Sequence, residues 1–404
     1  MEIKPQRFIA TRNQNCLRCG FCEQYLPCAV SQNDCIGCGA CVIACPQAAR
    51  QLKPRTKAGS AIHFSLDGQP CKFKGPVSVR DALDELEKAV KGRLDDNRRN
   101  HDLCGTGGCW HCAVLIDGIL ARSCMTPLRP GMKIVTDPEI LQQAEPKRIV
   151  TLLRPAPHYH PSIFAHGCNY RCDLCHNWDM TFSSTGKTLN PAETVSQLRL
   201  DPEKDYWIGI SGGEPTLNRK WLIETVRELR QRVPDSRIQL DTNASLLSDE
   251  YIDELVEAGI TDISPDLKAY QLDTFMKVCA IQSAERARVY LENSWQAVRY
   301  INDNFREQVF MAASLPCHPK IHSRAELEEM AAALVKIDPE LPVTLIELQP
   351  AFRRRDWPRI SPKTMENALN IMQAAGLQRV IIQGGKGMPR AVDPLELALS
   401  TEAF

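Results

Sequence analysis

The cysteine pattern constrains this chain more than any other feature of its sequence. Eighteen of the 404 residues are cysteine, and most fall into groups of eight, four and three with the short, regular spacings of metal ligands. The N-terminal residues contain no apolar signal-peptide region, so we expect a reducing cytoplasmic location, where clustered cysteines bind metal. The other three cysteines, Cys71, Cys279 and Cys317, are expected to be buried or incidental thiols.

The charge balance and the hydropathy pattern argue against two classes of partner. Lys and Arg together number 49, and so do Asp and Glu, which leaves no net field to attract nucleic acid. No run of about 18 apolar residues predicts a membrane span. We therefore expect neither nucleic acid nor a membrane as a partner, in a chain long enough for two or three domains.

The first cysteine group predicts two [4Fe–4S] clusters. Its second half, "CIGCGACVIACP", has the C-x2-C-x2-C-x3-C-P spacing of bacterial ferredoxins with two such clusters, in which the fourth cysteine of each run binds the other cluster. The first half departs from this pattern, because five residues separate its last two cysteines and a proline precedes the final one. Two zinc sites are the alternative, but they explain the Cys-Pro ending poorly. The crossing assigns Cys16, Cys19, Cys22 and Cys45 to one cluster, and Cys28, Cys35, Cys38 and Cys41 to the other.

The second group, "CGTGGCWHCAVLIDGILARSC", predicts one [2Fe–2S] cluster. It begins with the C-x4-C-x2-C spacing of plant-type ferredoxins. Upstream, "AIHFSLDGQP" and "VSVRDALDEL" predict a strand and turn followed by a helix. Over about residues 60–135 this order resembles the β-grasp ferredoxin domain of the iron–sulfur subunits of succinate dehydrogenase and fumarate reductase. A bare structural loop is the alternative. The expected ligands are Cys104, Cys109, Cys112 and Cys124.

From about residue 160 onward, short apolar runs alternate with amphipathic helical patterns. This rhythm predicts an α/β fold with a parallel sheet, whose chemistry gathers at the carboxyl ends of the strands. At the first such end, "GCNYRCDLCHN" offers only Cys168, Cys172 and Cys175, which leaves one iron of a cubane open to a small molecule. At the second, "SGGEP" offers Gly212 and Gly213 for close backbone approach to a ligand. The carboxylate that follows, Glu214, suits an ammonium group.

These two motifs, in this order, resemble the radical S-adenosylmethionine (SAM) superfamily. The resemblance implies a partial (β/α)6 TIM-like barrel in which SAM binds the open iron of a [4Fe–4S] cluster and is cleaved to a 5′-deoxyadenosyl radical. "CHN", "LDTN" and "DLK" narrow the resemblance to the enzymes that activate glycyl-radical enzymes, above all the pyruvate formate-lyase activating enzyme. It implies that Asp241, Thr242, Asp266 and Lys268 contribute to SAM binding and to a monovalent-cation site.

Two departures from the activating enzymes concern site residues and cluster positions. Phe352 stands where the family has a SAM-contacting histidine, so His318 is a candidate substitute, with an ordinary loop histidine as the alternative. The interval between the three-cysteine motif and GGE contains no cysteine, and the additional clusters precede the barrel instead. The basic segment "RRRDWPR" that begins at Arg353 is expected to be a solvated loop, with a grip for an anionic substrate or a protein partner as the alternative.

The patterns divide the chain into four parts with one expected function. We expect a radical SAM enzyme with a built-in electron relay, an external low-potential donor (ferredoxin or flavodoxin), and a glycyl residue of a partner protein as one possible target. An electron-transfer or maturation subunit of a larger complex is an alternative, and so is an enzyme that modifies a peptide or a small molecule. The parts are a two-[4Fe–4S] ferredoxin-like segment (1–58), a [2Fe–2S] β-grasp domain (59–137), a linker (138–160) and the radical SAM partial barrel (161–404).

Overall fold

The structure is a computed structural model that describes residues 8–26, 35–55, 59–89 and 104–385. Within these ranges the chain forms four sheets of two, five, seven and three strands. No helix of this part of the chain has both the length and the apolar character needed to cross a membrane. The predicted cluster ligand Cys28 lies outside the described residues.

A short antiparallel ladder closes the first cysteine segment on itself, with Phe8 opposite Pro54. Gly20 and Gly39 follow the second cysteine of each run and have φ of 79° and 78°, a left-handed conformation that favours glycine. Each glycine precedes a short helix that carries the third cysteine of its run, so the two halves fold alike. The elements are β1 (Phe8–Arg12), α1 (Phe21–Gln24), α2 (Ala40–Ala44) and β2 (Arg50–Pro54).

The second unit is a mixed five-stranded sheet with one helix, in agreement with the strand, turn and helix predicted from the sequence. The strand order is β4-β3-β7-β5-β6; β3 and β7 are parallel and the other neighbours are antiparallel. Phe64, Leu83 and Ile134 belong to its own apolar core. The elements are β3 (Ala61–Leu66), β4 (Gln69–Lys74), α3 (Val79–Ala89), β5 (Ala113–Ile116), β6 (Ile119–Arg122) and β7 (Lys133–Val135).

The segment predicted as a linker, residues 138–160, contains regular structure that belongs to the barrel sheet. It holds α4 (Pro138–Gln143) and β8 (Arg148–Leu153), and β8 pairs antiparallel with both β9 (Ser162–Ala165) and β10 (Lys187–Leu189). The apolar side chains of β8 enter the core, and the prolines and polar residues that suggested a linker lie on either side of it. The linker prediction is therefore corrected for these residues.

Parallel strands form the rest of the large sheet, which has the order β10-β8-β9-β11-β12-β13-β14. A bridge between Asp266 and Ser314 connects this sheet to the three-stranded sheet β15-β16-β17. The six strands predicted for a partial barrel are present if β14 and β15 are taken as one interrupted strand, and β17 adds a further parallel strand. The strands are β11 (Trp207–Gly212), β12 (Arg237–Thr242), β13 (Asp262–Pro265), β14 (Phe310–Met311), β15 (Ala313–Cys317), β16 (Val343–Glu347) and β17 (Val380–Gln383).

Helices cover the outer face of this sheet and share one large apolar core with it. Alternation along the strands explains the layering: Ile208 and Ile210 of β11 are fully buried in that core, whereas Ser211 is half-buried on the opposite, inner face. The helices are α5 (Trp178–Thr181), α6 (Pro191–Gln197), α7 (Arg219–Arg232), α8 (Asp249–Ala258), α9 (Leu272–Cys279), α10 (Ala284–Phe305), α11 (Arg324–Ile337) and α12 (Pro362–Ala374).

Candidate active site

A cavity of about 800 Å³ opens at the carboxyl ends of the parallel strands. This volume lies near the upper end of the range of about 300–1,000 Å³ that small-molecule sites occupy. Most of the residues predicted for the SAM site and its cluster line this cavity, but Glu214 and His318 are not among its lining residues. The predicted residues that line it are Cys168, Cys172, Cys175, Gly212, Gly213, Asp241, Thr242, Asp266 and Lys268.

The three cysteines of the motif after β9 lie along one wall of the cavity. The backbone N–H of Tyr170 donates to the Cys168 sulfur at 3.3 Å, and burial raises the pKa of the Cys175 thiol to about 12. Bound iron would supply the positive charge that lets such a thiol ionise. Thiolates are the ligands of iron–sulfur clusters, and in a cubane each cysteine binds a separate iron, which the three cysteines of this wall could do.

The two glycines of the GGE motif serve a backbone contact with the neighbouring strand. The N–H of Gly213 donates to the Ala165 carbonyl at 2.8 Å, and the N–H of Glu214 donates to the Gly167 carbonyl at 2.7 Å. A Cβ atom at Gly212 or Gly213 would overlap this backbone. The motif therefore joins the end of β11 directly to the residues before Cys168.

Glu214 is not among the residues that line the cavity, and its expected contact with an ammonium group stays a prediction. Its side chain is fully buried, and its carboxylate accepts from the Thr216 N–H (3.0 Å) and hydroxyl (2.6 Å), the Thr242 hydroxyl (2.7 Å) and the Asn243 N–H (2.7 Å). Burial raises the pKa of Glu214, and these hydrogen bonds oppose that shift. Three of the four bonds go to Oε1 and one to Oε2, so the carboxylate connects the end of β11 to the end of β12.

A buried arginine that the sequence analysis missed holds the same turn. Arg148 of β8 is fully buried, and its guanidinium donates to the carbonyls of Pro215 (2.5 Å), Glu214 (2.5 Å) and His166 (3.2 Å). No local signal identifies it, because its partners lie at least 18 residues away in the sequence. It fixes the GGE turn relative to the strand end that leads into the cysteine motif.

Asp266 and Lys268 form an ion pair in the cavity wall. The other carboxylate oxygen of Asp266, Oδ1, is buried and has no hydrogen-bond partner among the described residues. A buried carboxylate oxygen without a partner is costly unless a cation or donor completes it. Burial lowers the pKa of Lys268, but the neighbouring Asp266 carboxylate outweighs this effect, so the pKa is raised.

His318, the candidate substitute for the family's SAM-contacting histidine, is not among the residues that line the cavity. It is buried, its Nδ1 accepts from the Lys320 N–H at 3.1 Å, and its ring packs against Trp357 at 4.7 Å between centroids. Another histidine, His176 of the "CHN" stretch, does line the cavity, and its Nε2 accepts from the Gln349 N–H at 3.0 Å. The sequence motif contained this residue, but its spacing assigned it no role.

Cys279, which was expected to be a buried or incidental thiol, lies next to the third cysteine group. Cys279, at the end of α9, is fully buried and hydrogen-bonds the Cys172 thiol, which lowers the pKa of Cys172. The Cys279 carbonyl accepts from the Arg171 N–H at 2.9 Å. Cys279 therefore supports the cysteine motif from below, a contact that no sequence spacing indicates.

The four cysteines of the second group are buried together in two pairs. Cys104 hydrogen-bonds Cys109, and Cys112 hydrogen-bonds Cys124, a contact that lowers the pKa of Cys112 to about 7. Two adjacent pairs of sulfurs suit a [2Fe–2S] cluster, in which each iron takes two cysteine ligands. The ligand set predicted from the spacing is thus brought together.

This cysteine loop packs directly against the motif that lines the cavity. A Cβ atom at Gly167 would lie 2.8 Å from the Cβ of Cys104 and 3.1 Å from its sulfur. A Cβ atom at Gly108 would lie 2.8 Å from the Gly167 nitrogen. Only glycine permits this approach. Gly167 is therefore the one residue between Cys104, a predicted ligand of the [2Fe–2S] cluster, and Cys168 of the cavity motif.

The described cysteines of the first group receive hydrogen bonds that suit cluster thiolates. Backbone N–H groups of Ala10 and Ala49 donate to the sulfurs of Cys35 (3.4 Å) and Cys45 (3.3 Å). The guanidinium of Arg50 donates to Cys22 at 2.9 Å. Donors to the sulfurs are among the features that tune cluster potentials.

The basic segment that begins at Arg353 is an interface between modules, which corrects its interpretation as a solvated loop. Arg353 donates to the carbonyls of Val42 (2.8 Å), Ile43 (3.0 Å) and Cys45 (3.1 Å), and it lies 3.5 Å from the Asp173 carboxylate. Asp173 stands between Cys172 and Cys175. The arginine thus connects the first cysteine group to the cavity motif.

Phe352 completes this interface where a SAM-contacting histidine was expected from the resemblance. It is buried, stacks on Trp178 at 5.3 Å, and shares a core with Phe21 and Cys41 of the first cysteine group. Cys175 packs at the edge of the same core. Phe352, which stands in place of the histidine of the activating enzymes, therefore packs the first cysteine group against the cavity motif.

Family models match three segments of the chain. The radical SAM superfamily model matches residues 162–334, a 2Fe–2S iron–sulfur cluster binding domain matches 59–139, and a 4Fe–4S binding domain matches 29–51. The three matches follow the order of the modules in the structure. They cover the second cysteine group, the second half of the first group and most of the parallel strands.

Each of the following relatives is similar to a part of the chain. Hydrogen cyanide synthase subunit HcnA of Pseudomonas aeruginosa is 33% identical over 95 residues, 23% of this chain and 89% of that protein. A protein of Methanocaldococcus jannaschii, named as a glycyl-radical enzyme activating enzyme, is 26% identical over 179 residues, 44% of this chain and 68% of its own length. The crystal structure of Streptococcus suis SuiB bound to S-adenosylmethionine has a TM-score of 0.42 at 11% identity, covering 54% of this chain and 48% of that one. The chain contains a radical SAM domain, with 4Fe–4S and 2Fe–2S binding domains in front of it.

Proposed function

We propose that this chain reductively cleaves SAM at a [4Fe–4S] cluster held by Cys168, Cys172 and Cys175, and that its N-terminal modules relay electrons to that cluster. The cluster, when bound, offers SAM an open iron and supplies the electron that breaks a C–S bond to give the 5′-deoxyadenosyl radical. The observation that carries the proposal is the packing of Cys104 against Gly167, next to the first cavity cysteine.

The protein's part in SAM binding is to supply shape and charge. Gly212 and Gly213 form a wall without side chains, and Asp266 with Lys268 offers an acceptor and a donor at the same edge. SAM carries a sulfonium and an ammonium, which the free oxygen of Asp266 suits. The resemblance also places a monovalent cation near Asp241, Thr242 and Asp266; of these, Asp266 keeps a buried oxygen without a partner among the described residues.

The relay has two contacts with the cavity motif. One runs from the predicted [2Fe–2S] site through Cys104 and Gly167, and the other from the first cysteine group through Arg353 to Asp173. Three [4Fe–4S] clusters and one [2Fe–2S] cluster would occupy these sites, with Cys28 as the expected fourth ligand of one cubane. An external ferredoxin or flavodoxin would supply the electrons.

For the target of the radical, a glycyl residue of a partner protein is one candidate, favoured by the similarity to the M. jannaschii protein over 44% of this chain. A peptide or a small molecule is the other, favoured by a cavity of about 800 Å³ whose wall combines polar and apolar side chains.

Two measurements test this proposal together. Anaerobically reconstituted protein should contain about 14 irons per chain, the sum for three cubanes and one [2Fe–2S] centre, and should form 5′-deoxyadenosine from SAM with dithionite alone. A content near ten irons without a [2Fe–2S] signal in electron paramagnetic resonance would remove the second cluster site. Full iron content without 5′-deoxyadenosine would favour an electron-transfer or maturation subunit.

A further inference from the structure

The inner faces of five strands carry small polar side chains at two adjacent levels of the barrel. Asp241 of β12 is in register with Ser264 of β13, and Ser314 of β15 with Thr344 of β16. The Ser264 and Ser314 hydroxyl oxygens are 3.4 Å apart, and Ser211 of β11 hydrogen-bonds Asp241. All five side chains line the cavity. We call these residues the polar belt.

Ser314 and Thr344 are level with Asp266, to which Ser314 forms a bridge, whereas Asp241 and Ser264 lie one inner position deeper in the barrel. Asp241 immediately precedes Thr242 and Asn243, whose side chains bond Glu214 (2.7 Å) and Asn169 (3.0 Å) beside the cysteine motif. Asp241 therefore lies deeper than Asp266, the carboxylate proposed to contact SAM. A substrate that binds below SAM would meet Asp241.

A polar belt is an unusual filling for a barrel interior. In closed barrels the inner layers are packed with bulky branched side chains that fill the space. Here serine, threonine and aspartate share the wall of a cavity of about 800 Å³ with apolar residues of the same strands, among them Ile263, Pro316 and Ile346. A few polar groups set among apolar side chains around open space are the composition of a binding site rather than of a core.

The carboxylate of the polar belt is held in place by a chain of hydrogen bonds. The indole N–H of Trp207 donates to the Gln239 carbonyl oxygen at 2.8 Å, and the Gln239 amide donates to Asp241 at 2.6 Å. Trp207 in turn lies under the Arg237 guanidinium at 4.1 Å, and Arg237 pairs with Asp262. Trp207, Gln239 and Asp262 line the cavity, and these hydrogen bonds hold the Asp241 carboxylate in its wall.

Charge decides which ligands the polar belt favours. The carboxylates next to it in the wall already have cations, since Asp262 pairs with Arg237 and Asp266 with Lys268. Asp241 has no ion-pair partner in the part of the chain that the structure describes. A half-buried carboxylate with neutral hydroxyl neighbours repels phosphate and carboxylate groups and attracts an ammonium group.

From this arrangement we propose that the polar belt binds a small substrate that carries a protonated amine and hydroxyl groups, with Asp241 receiving the amine. This inference rests on the proposed SAM-cleaving function, because it assigns the substrate of the same site. It also separates the role of Asp241 from that of Asp266, which the resemblance to activating enzymes placed together in one cation site.

Three small probes of similar size test the inference on the anaerobic holoenzyme with SAM bound. Serinol carries an amine and two hydroxyls, glycerol is neutral, and glycerate is an anion. By calorimetry or ligand-observed NMR we expect serinol to bind at least about 10-fold more tightly than glycerol, a difference of about 1.4 kcal/mol, and glycerate to bind weakest. Asp241→Asn should reduce serinol binding to the level of glycerol, and Thr344→Val should weaken both.

The controls separate this inference from its rivals and from the proposed function. Asp205→Asn, a change at an exposed aspartate outside the cavity, should leave probe binding unchanged. Equal binding of the three probes, preference for glycerate, or absence of serinol binding would overturn the inference. So would competition between potassium and serinol together with a matching loss of SAM affinity in Asp241→Asn, because the carboxylate would then belong to a cation site. Formation of 5′-deoxyadenosine in the absence of any probe reports separately on SAM cleavage.

Discussion

At the scale of single residues, the carboxylates that follow β11 and β13 have opposite surroundings. Glu214 accepts four hydrogen bonds from protein donors and does not line the cavity, whereas Asp266 lines it and keeps one buried oxygen without a partner among the described residues. We therefore expect a structural role for Glu214 and a ligand contact for Asp266. The two can be separated by mutation.

Asp266→Ala should weaken SAM binding and leave the iron content unchanged. The change removes the free acceptor and also leaves Lys268 as an unpaired cation in a wall that must accept the positive charges of SAM. Removing one partner of a buried charge pair costs about 2–5 kcal/mol, which corresponds to roughly 30-fold or more in affinity. Equilibrium binding of SAM to the anaerobic holoenzyme measures this, with the exposed Asp273→Ala on α9 as the control.

The same experiment tests the cation expected from the resemblance. Potassium should stimulate SAM cleavage relative to a bulky organic cation, and the Asp266 variant should lose that stimulation. Unchanged SAM affinity together with indifference to the cation would mean that Asp266 is only part of a strand end.

Glu214→Gln should lower the stability of the protein before it affects SAM contact. An amide nitrogen would face N–H and O–H donors that now point at a carboxylate, and unsatisfied buried donors cost about 1–3 kcal/mol. We expect a lower Tm in both the absence and the presence of SAM. A variant with an unaltered Tm and a selective loss of SAM affinity would restore the direct contact with the ammonium group that the GGE motif suggested.

The cysteine groups could be recognised from spacing because each group lies in one stretch of the sequence. Arg148, Cys279 and Arg353 could not be, because each acts across a long sequence separation; Arg353 and Cys45, for example, are 308 residues apart. Periodicity and local motifs contain no information on such pairs.

At the scale of elements, the segment after β16 holds the first cysteine group against the cavity motif. Arg353 crosses from this segment to the carbonyls at the end of α2, and Phe352 fills the apolar contact beside Trp178. The sequence analysis recognised the strand end but not the interface, since arginine-rich loops are usually solvated. The contact makes this segment part of the proposed relay.

Arg353→Ala should impair turnover that depends on a protein electron donor more than turnover with dithionite. A charged donor shared by three carbonyls contributes about 1.5–3 kcal/mol to docking, so its loss loosens the contact between the cubane segment and the cavity motif. Arg355→Ala is the comparison variant, because Arg355 belongs to the same loop and is exposed, and its guanidinium lies over the Trp178 ring at 5.1 Å rather than against the three carbonyls. Freeze-quench electron paramagnetic resonance should show slower reduction of the SAM cluster only in the Arg353 variant.

Two results would contradict this assignment. Equal effects of the Arg353 and Arg355 changes would show that loop charge alone is involved. An unchanged rate of SAM-cluster reduction in Arg353→Ala, with a lowered Tm, would leave Arg353 a structural role without a part in electron transfer.

At the scale of the whole molecule, three modules meet at the cavity motif. The β-grasp unit reaches it at Gly167, the first cysteine segment reaches it at Asp173, and the two units also touch each other where Gly105 packs against Ile43. Each module was predictable from its own cysteine spacing and element order. The contacts between the modules were not predictable, because two loops that approach each other closely at glycines leave no periodic pattern in the sequence.

The central claim is that the cavity cluster cleaves SAM while the N-terminal clusters deliver electrons to it. The most direct measurement compares 5′-deoxyadenosine formation by Cys172→Ala and Cys38→Ala with two reductants, dithionite and a reduced ferredoxin or flavodoxin. We predict that Cys172→Ala abolishes SAM cleavage with both reductants, whereas Cys38→Ala retains dithionite-driven cleavage and loses most of the cleavage driven by the protein donor. Equal loss with both reductants in Cys38→Ala, or SAM cleavage that persists in Cys172→Ala, would contradict the account.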